Sequence, residues 1–167
     1  MSLNLALIAE LKQEAASTRK MLEKVPTEHN EWKPHEKSMK LGRLATHVAE
    51  LSGWIMMTIK TDELNFANFD YKPVTDPTSE QLLAIHDDNV RNAIEVLETA
   101  TDEDLAKIWT MRNGDQVIMA LPKSVVLRSM CFNHVYHHRG QLSVYLRELN
   151  VPVPGMYSPS ADDRAAM

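Results

Sequence analysis

The stretch Pro122–Asn150, PKSVVLRSMCFNHVYHHRGQLSVYLRELN, decides how the rest of the chain is read. Leu127, Cys131, His134, His138, Leu142, Tyr145 and Leu149 recur at spacings of three and four, so at about 100° per residue they share one narrow arc. A helix with such an arc buries it against its neighbours. Two members of the arc, His134 and His138, stand one turn apart, where both imidazoles can reach a common point. His137 lies about 100° from His138, at the arc's edge beside Val126 and Val144, so the pair is 134/138 rather than 134/137. Pro122 is tolerated in a first turn, and Asn150 with Pro152 makes a stop.

Three further segments carry the same periodicity. The first runs from Leu3 to Val25, with Ile8, Leu11, Ala15, Leu22 and Val25 on one stripe, and Pro26 ends it. The second runs from Ser38 to Lys60, and His47 falls within its stripe of Leu44, Val48, Leu51, Trp54 and Ile55. The third opens at Thr78, three residues before Gln81 at capping-box spacing, and its face is Leu82, Leu83, Val90, Ala93, Ile94 and Leu97. Between the second and third, TDELNFANFDYKPVTDP reads as a long irregular connection. Thr101–Lys107 adds one short helical turn. Asn113-Gly114, within IWTMRNGDQVIMAL, signals a hairpin that caps one end of the helices. The expected fold class is all-α: a four-helix bundle with a small β-hairpin before the last helix. Residues 1–150 are expected to form the bundle, and 151–167 a Pro-rich tail packed on or frayed from the same domain.

The bulk composition fits this. The chain has 167 residues, 44% apolar and 25% charged, which is enough to bury one core and is unlike a disordered chain. Eighteen basic residues against 23 acidic ones leave a formal charge of −5, which argues against a general nucleic-acid binder. Cys131 is the sole cysteine, so no intramolecular disulfide is possible. The N-terminus has no basic n-region followed by a cleavage site, and the apolar stretch at Leu51–Ile59 is too short for a membrane span. A cytoplasmic location is the expectation.

Three imidazoles inside one core would each carry nitrogens that need partners, and an unpaired buried polar group costs roughly 1–3 kcal/mol. A shared divalent ion resolves all three, so His47, His134 and His138 are the candidate metal ligands. Three histidines leave a position open, the pattern of a catalytic rather than a closed structural site. Set against this, a lone histidine on an apolar face is more often a core residue bonded to a carbonyl or to water.

The run NHVYHHRGQLSVYLRELNVPVPGMYSPSAD, together with WKPHEKSMKLGRLATHVAEL, closely resembles the DinB/YfiT-like family of metal-binding four-helix bundles. The resemblance spans most of the chain. It implies an up-down-down-up bundle, with one metal held by a histidine of the second helix and the HxxxH pair of the last, here His47, His134 and His138. It also implies a homodimer and a damage-inducible name that records no DNA reaction. Relatives resemble thiol-dependent transferases and isomerases, in which the metal activates a low-molecular-weight thiol, and a divalent ion does lower a thiol's pKa. The implied function is a metal-dependent enzyme of the S-transferase or hydrolase type. The alternatives are a non-catalytic metal-binding, stress-inducible dimeric module and a plain bundle with hydrogen-bonded histidines. Zinc or nickel leads among the metals, with manganese or iron behind, because imidazole suits several ions.

Other residues are weaker candidates. Glu50, one turn after His47, could accept a proton, and Tyr157 could fold over the pocket mouth. Cys131 could be a soft fourth ligand, although a buried cysteine is usually a small hydrophobe. His86 sits on the inward face of the third segment as a bonded core histidine or a substrate contact. Gln141 could orient a ligand imidazole through its amide oxygen. Gly140, costly in mid-helix, would be explained by close packing or ligand access.

Overall fold

The computed structural model describes residues 2–165, and they form a mostly helical fold with a small three-stranded sheet. Helix α1 covers Leu3–Leu22, stopping four residues short of Pro26. Helices α2 (Leu41–Glu50) and α3 (Gly53–Lys60) replace the single second helix expected from the periodicity. The break falls at Leu51–Ser52, where Trp54 and Ile55 donate to the carbonyls of Leu51 and Ser52, three residues back. Gly53 sits there because a Cβ would come 2.7 Å from Oδ1 of Asn89 on the neighbouring helix. That helix, α4, spans Ser79–Thr99 and begins with the capping box of Thr78 and Gln81. The short α5 (Asp102–Ala106) repeats the device with Thr101 and Asp104.

Strands β2 (Ile108–Asn113) and β3 (Gln116–Pro122) form the expected hairpin, with Gly114 at φ 58° in its turn. A third strand, β1 (Glu63–Asn65), lies parallel to β2 inside the segment read as irregular, which corrects the expectation of an all-α chain with a lone hairpin. Three residues are too few to show an alternating pattern, so β1 left no sequence signal. Leu64, Trp109, Met111 and Val126 make a small core of their own, and Trp109 donates to the Thr61 hydroxyl at 3.0 Å.

The last long helix is continuous but not uniform. Helix α6 (Lys123–Val126) passes through a π-helical turn at Leu127–Phe132 into α7 (Asn133–Glu148), and Asn150 ends it at φ 57°. A π turn closes i→i+5 rings, so it takes in about one more residue than an α turn. The buried arc therefore slips by one position. Beyond the turn it runs through Val135, Arg139, Leu142, Tyr145 and Leu146, where the unbroken wheel expected His134 and His138 to face the core along with Leu142 and Tyr145. His134 and His138 are half-buried at its border rather than facing the core.

The slip carries Arg139 into the interior, where it is 3% exposed. It donates to the Glu14 carbonyl (3.1 Å), the Thr18 hydroxyl (3.1 Å), the Glu14 carboxylate (2.6 Å) and the Tyr157 hydroxyl (2.8 Å). The tail is tied down further by Arg147 on Asp162 and by a short helix, α8 (Ala161–Ala165). Gly140 is exposed, and a Cβ there would meet nothing within 4 Å, so close packing does not explain it.

Candidate metal centre

His47 projects from α2, seven residues into a helix that buries Leu41, Leu44, Ala45, Val48 and Ala49 on its other faces. His134 and His138 project from α7 on the side that the π turn has rolled away from the core. The three rings meet. Their centroids are 5.0 Å apart for 47/134, 4.6 Å for 47/138 and 4.6 Å for 134/138, and one nitrogen of each lies within 4.8 Å of the others. The Nε2 atoms of His47 and His134 are 3.4 Å apart. Two ligands at about 2.0–2.1 Å from a tetrahedral ion are themselves about 3.3 Å apart, so this spacing suits a shared cation.

The partners of the rings decide which nitrogens are free. His134 Nδ1 lies 3.3 Å from the Met130 carbonyl, in the π turn, and His138 Nδ1 lies 2.7 Å from the Gln141 amide oxygen. Both partners accept, so both Nδ1 atoms carry the proton and both Nε2 atoms keep a lone pair. Converging lone pairs repel unless a cation lies among them. Burial depresses all three imidazoles. His47 is brought down to about 4, first by burial and then by the neighbouring His138, His134 and Arg43. His134 and His138 are lowered mainly by burial, against which the Met130 carbonyl and Gln141 work in the opposite direction. The rings are thus neutral at pH 7, the form that binds metal. The donor set fits a divalent ion.

His47 also lines a cavity of about 530 Å³ with Arg43, Glu50, Trp54, Phe66 and Tyr71. Phe66, Phe69 and Tyr71 come from the loop after β1 and were missed in the sequence. The available signal was three aromatic rings within six residues of a chain with only 6% aromatics. Glu50 is in the cavity wall, but its carboxylate accepts a hydrogen bond from the Tyr71 hydroxyl and pairs with Arg43 at 3.6 Å. Tyr157 does not line this cavity; its hydroxyl is held by Arg139 and Glu14. Cys131 is buried among Leu127, Phe132 and Ile55 and stands outside the histidine cluster, and burial pushes its thiol far up. His86 is 2% exposed, with Nε2 3.1 Å from the Ala15 carbonyl, so it is a core histidine with one partner.

The DinB family model matches residues 1–166. The chain belongs to the DinB family. Among curated relatives of this DinB protein is one from Bacillus subtilis (strain 168) named "Uncharacterized protein YrdA", 29% identical over 153 residues, covering 91% of this chain and 86% of the relative. A crystal structure of a DinB-like protein from Bacillus subtilis superposes with a TM-score of 0.71 at 22% identity, covering 93% of this chain and 99% of the other, a likeness of fold. A second, of a DinB-like protein from Bacillus cereus ATCC 10987, gives 0.67 at 25% identity, covering 89% and 94%.

Proposed function

We propose that this DinB protein binds one divalent ion, zinc or nickel foremost, through His47, His134 and His138, and uses it in a thiol-dependent S-transfer or a hydrolysis. The observation that carries the reading is the meeting of three neutral imidazoles, with two Nδ1 protons turned outward onto Met130 and Gln141. When bound, such an ion supplies a positive charge that makes a thiol or a water more acidic near neutral pH. The chain supplies the rest. Met130 and Gln141 orient two of the rings, and the cavity beside His47 holds the substrate and excludes water behind Trp54 and Phe66. In this reading α1, α2 with α3, α4, and α6 with α7 are the four rods of an up-down-down-up bundle, working as a cytoplasmic homodimer. Among the described residues no helix is long and apolar enough to cross a membrane.

The test pairs metal with turnover. Protein purified without a histidine tag is expected to hold close to one ion per chain. With a low-molecular-weight thiol and monochlorobimane it should form the thioether, the sulfur–carbon bond replacing carbon–chlorine as chloride leaves and the thiol proton passes to solvent. His134→Ala should stay folded and lose conjugation. Turnover with no common thiol, on metal-loaded protein, would favour a non-catalytic, stress-inducible binding module. One observation favours that second reading: Glu50, the nearest carboxylate in the cavity, is already engaged by Tyr71.

Two further outcomes are expected of the site. Gln141→Leu removes the acceptor that orients His138, and should weaken zinc binding about 10–100-fold in competition with a chromogenic chelator. An unchanged affinity would show that the amide has no part in holding the ring. The second concerns pH. In the unfolded chain the histidines titrate near 6.5, whereas His47 in the fold titrates at about 4 and His86, His134 and His138 are also lowered. Between these values the unfolded state binds more protons, so stability falls as pH falls. The urea midpoint of metal-free protein should therefore drop between pH 7 and pH 5, above the range of the carboxylates; a flat midpoint there would contradict the lowered imidazoles.

A further inference from the structure

Arg43, His47 and Glu50 stand at i, i+4 and i+7 on α2, so they share one face of the helix and line one cavity. At about 530 Å³ it has the size of a small-molecule site. The rest of its lining is largely aromatic, with Trp54, Phe66, Phe69 and Tyr71. Phe69 and Tyr71 stack with planes 9° apart and centroids at 6.0 Å, and Phe66, Phe69 and Tyr71 each remain about 40% exposed. A flat apolar wall left open to solvent gains most from a flat apolar ligand.

The charge in the cavity is incompletely paired. Arg43 lies over the Tyr71 ring, 5.8 Å from its centroid. Its Nη1 is buried and has no hydrogen-bond partner. The Glu50 carboxylate faces Nη1 at 3.6 Å, an ion pair too long to be a hydrogen bond, while it accepts a hydrogen bond from the Tyr71 hydroxyl. A buried donor on a cation is costly to leave unspent, and the guanidinium fork matches a carboxylate. The Tyr71 side chain beside the guanidinium has one hydrogen bond among the described residues, to Glu50.

We infer that this cavity is a binding site for a small carboxylate with a flat apolar body. Arg43 takes the carboxylate, while Trp54, Phe66 and Phe69 take the body. Glu50 positions the aromatic strap through Tyr71. Because His47 lines the cavity and belongs to the histidine cluster, the ligand lies next to that cluster, and its role as substrate rests on the function proposed above. Its binding does not.

The experiment is calorimetric titration of full-length protein, zinc-loaded and metal-stripped, with 2-naphthoate and with the neutral 2-naphthalenemethanol. Naphthoate should bind once per chain in both forms. Arg43→Met should weaken naphthoate at least about tenfold in the metal-stripped protein and leave the neutral probe within about threefold, since only the carboxylate uses the fork. Should Arg43→Met fail to fold, Arg43→Lys keeps the charge, loses the fork, and is expected to weaken naphthoate alone. Phe69→Ala should weaken both probes. His138→Ala, which removes a ring of the histidine cluster outside the cavity lining, separates the two proposals: it should lose zinc and keep naphthoate. Absence of binding at millimolar naphthoate, or equal affinity in folded Arg43→Met, overturns the site whatever the zinc titration shows.

Discussion

His47→Ala is expected to lower zinc affinity by more than about 100-fold, beyond the 10–100-fold typical of losing an outer-shell partner, with helix content unchanged. The reasoning is geometric. His134 and His138 come from one helix, one turn apart, and a two-imidazole pair on an exposed helix face binds weakly and without selectivity. His47 brings the third nitrogen from α2, 3.4 Å from that of His134, and makes the set convergent. The ring is half-buried at the lip of a cavity, so its removal leaves room for water rather than a collapsed core. Competition titration and circular dichroism on the same sample read the two quantities. A variant that keeps wild-type affinity would show that the α7 pair binds the ion unaided.

The second large effect lies in stability. Glu14→Gln is expected to destabilise the protein by about 3–5 kcal/mol, the cost of leaving a buried cation without its partner. Arg139 is 3% exposed, and the Glu14 side chain is 10% exposed. Their contact at 2.6 Å is supported by Thr18 and Tyr157, so four donors and acceptors lose their arrangement together. The double variant Glu14→Leu with Arg139→Met should recover most of the loss, because it removes both desolvated charges. Urea unfolding of the three proteins decides it. A single variant within about 1 kcal/mol of wild type would mean that water reaches the pair and screens it.

Much of the fold was legible because its signals are local. The Thr78/Gln81 capping box and the Asn113-Gly114 turn act within a few residues, and each stands where the spacing put it, whereas α1 ends at Leu22, ahead of the stop expected at Pro26. The site was partly legible for the same reason: an i, i+4 histidine pair is a property of one helix. Strand β1 was not, because three residues acquire their pairing only from β2. The break at Leu51–Ser52 was hidden too, because the apolar stripe runs through it without interruption, and so was the close approach of Gly53 to Asn89 of α4. The Phe66–Tyr71 wall lay in a loop whose aromatic rings have no periodicity to announce them.

By itself, then, the sequence determined the helical segments, their caps, the hairpin turn and the three histidines worth watching, all of which depend on neighbours a few positions away. Tertiary structure alone decided what those histidines face. One π turn advances the buried arc of the last helix by a single residue, sending Arg139 inward to Glu14 and leaving His134 and His138 at the border, where His47 from a distant helix meets them. A helical wheel assumes a constant turn. Packing is free to spend an extra residue where the site needs it.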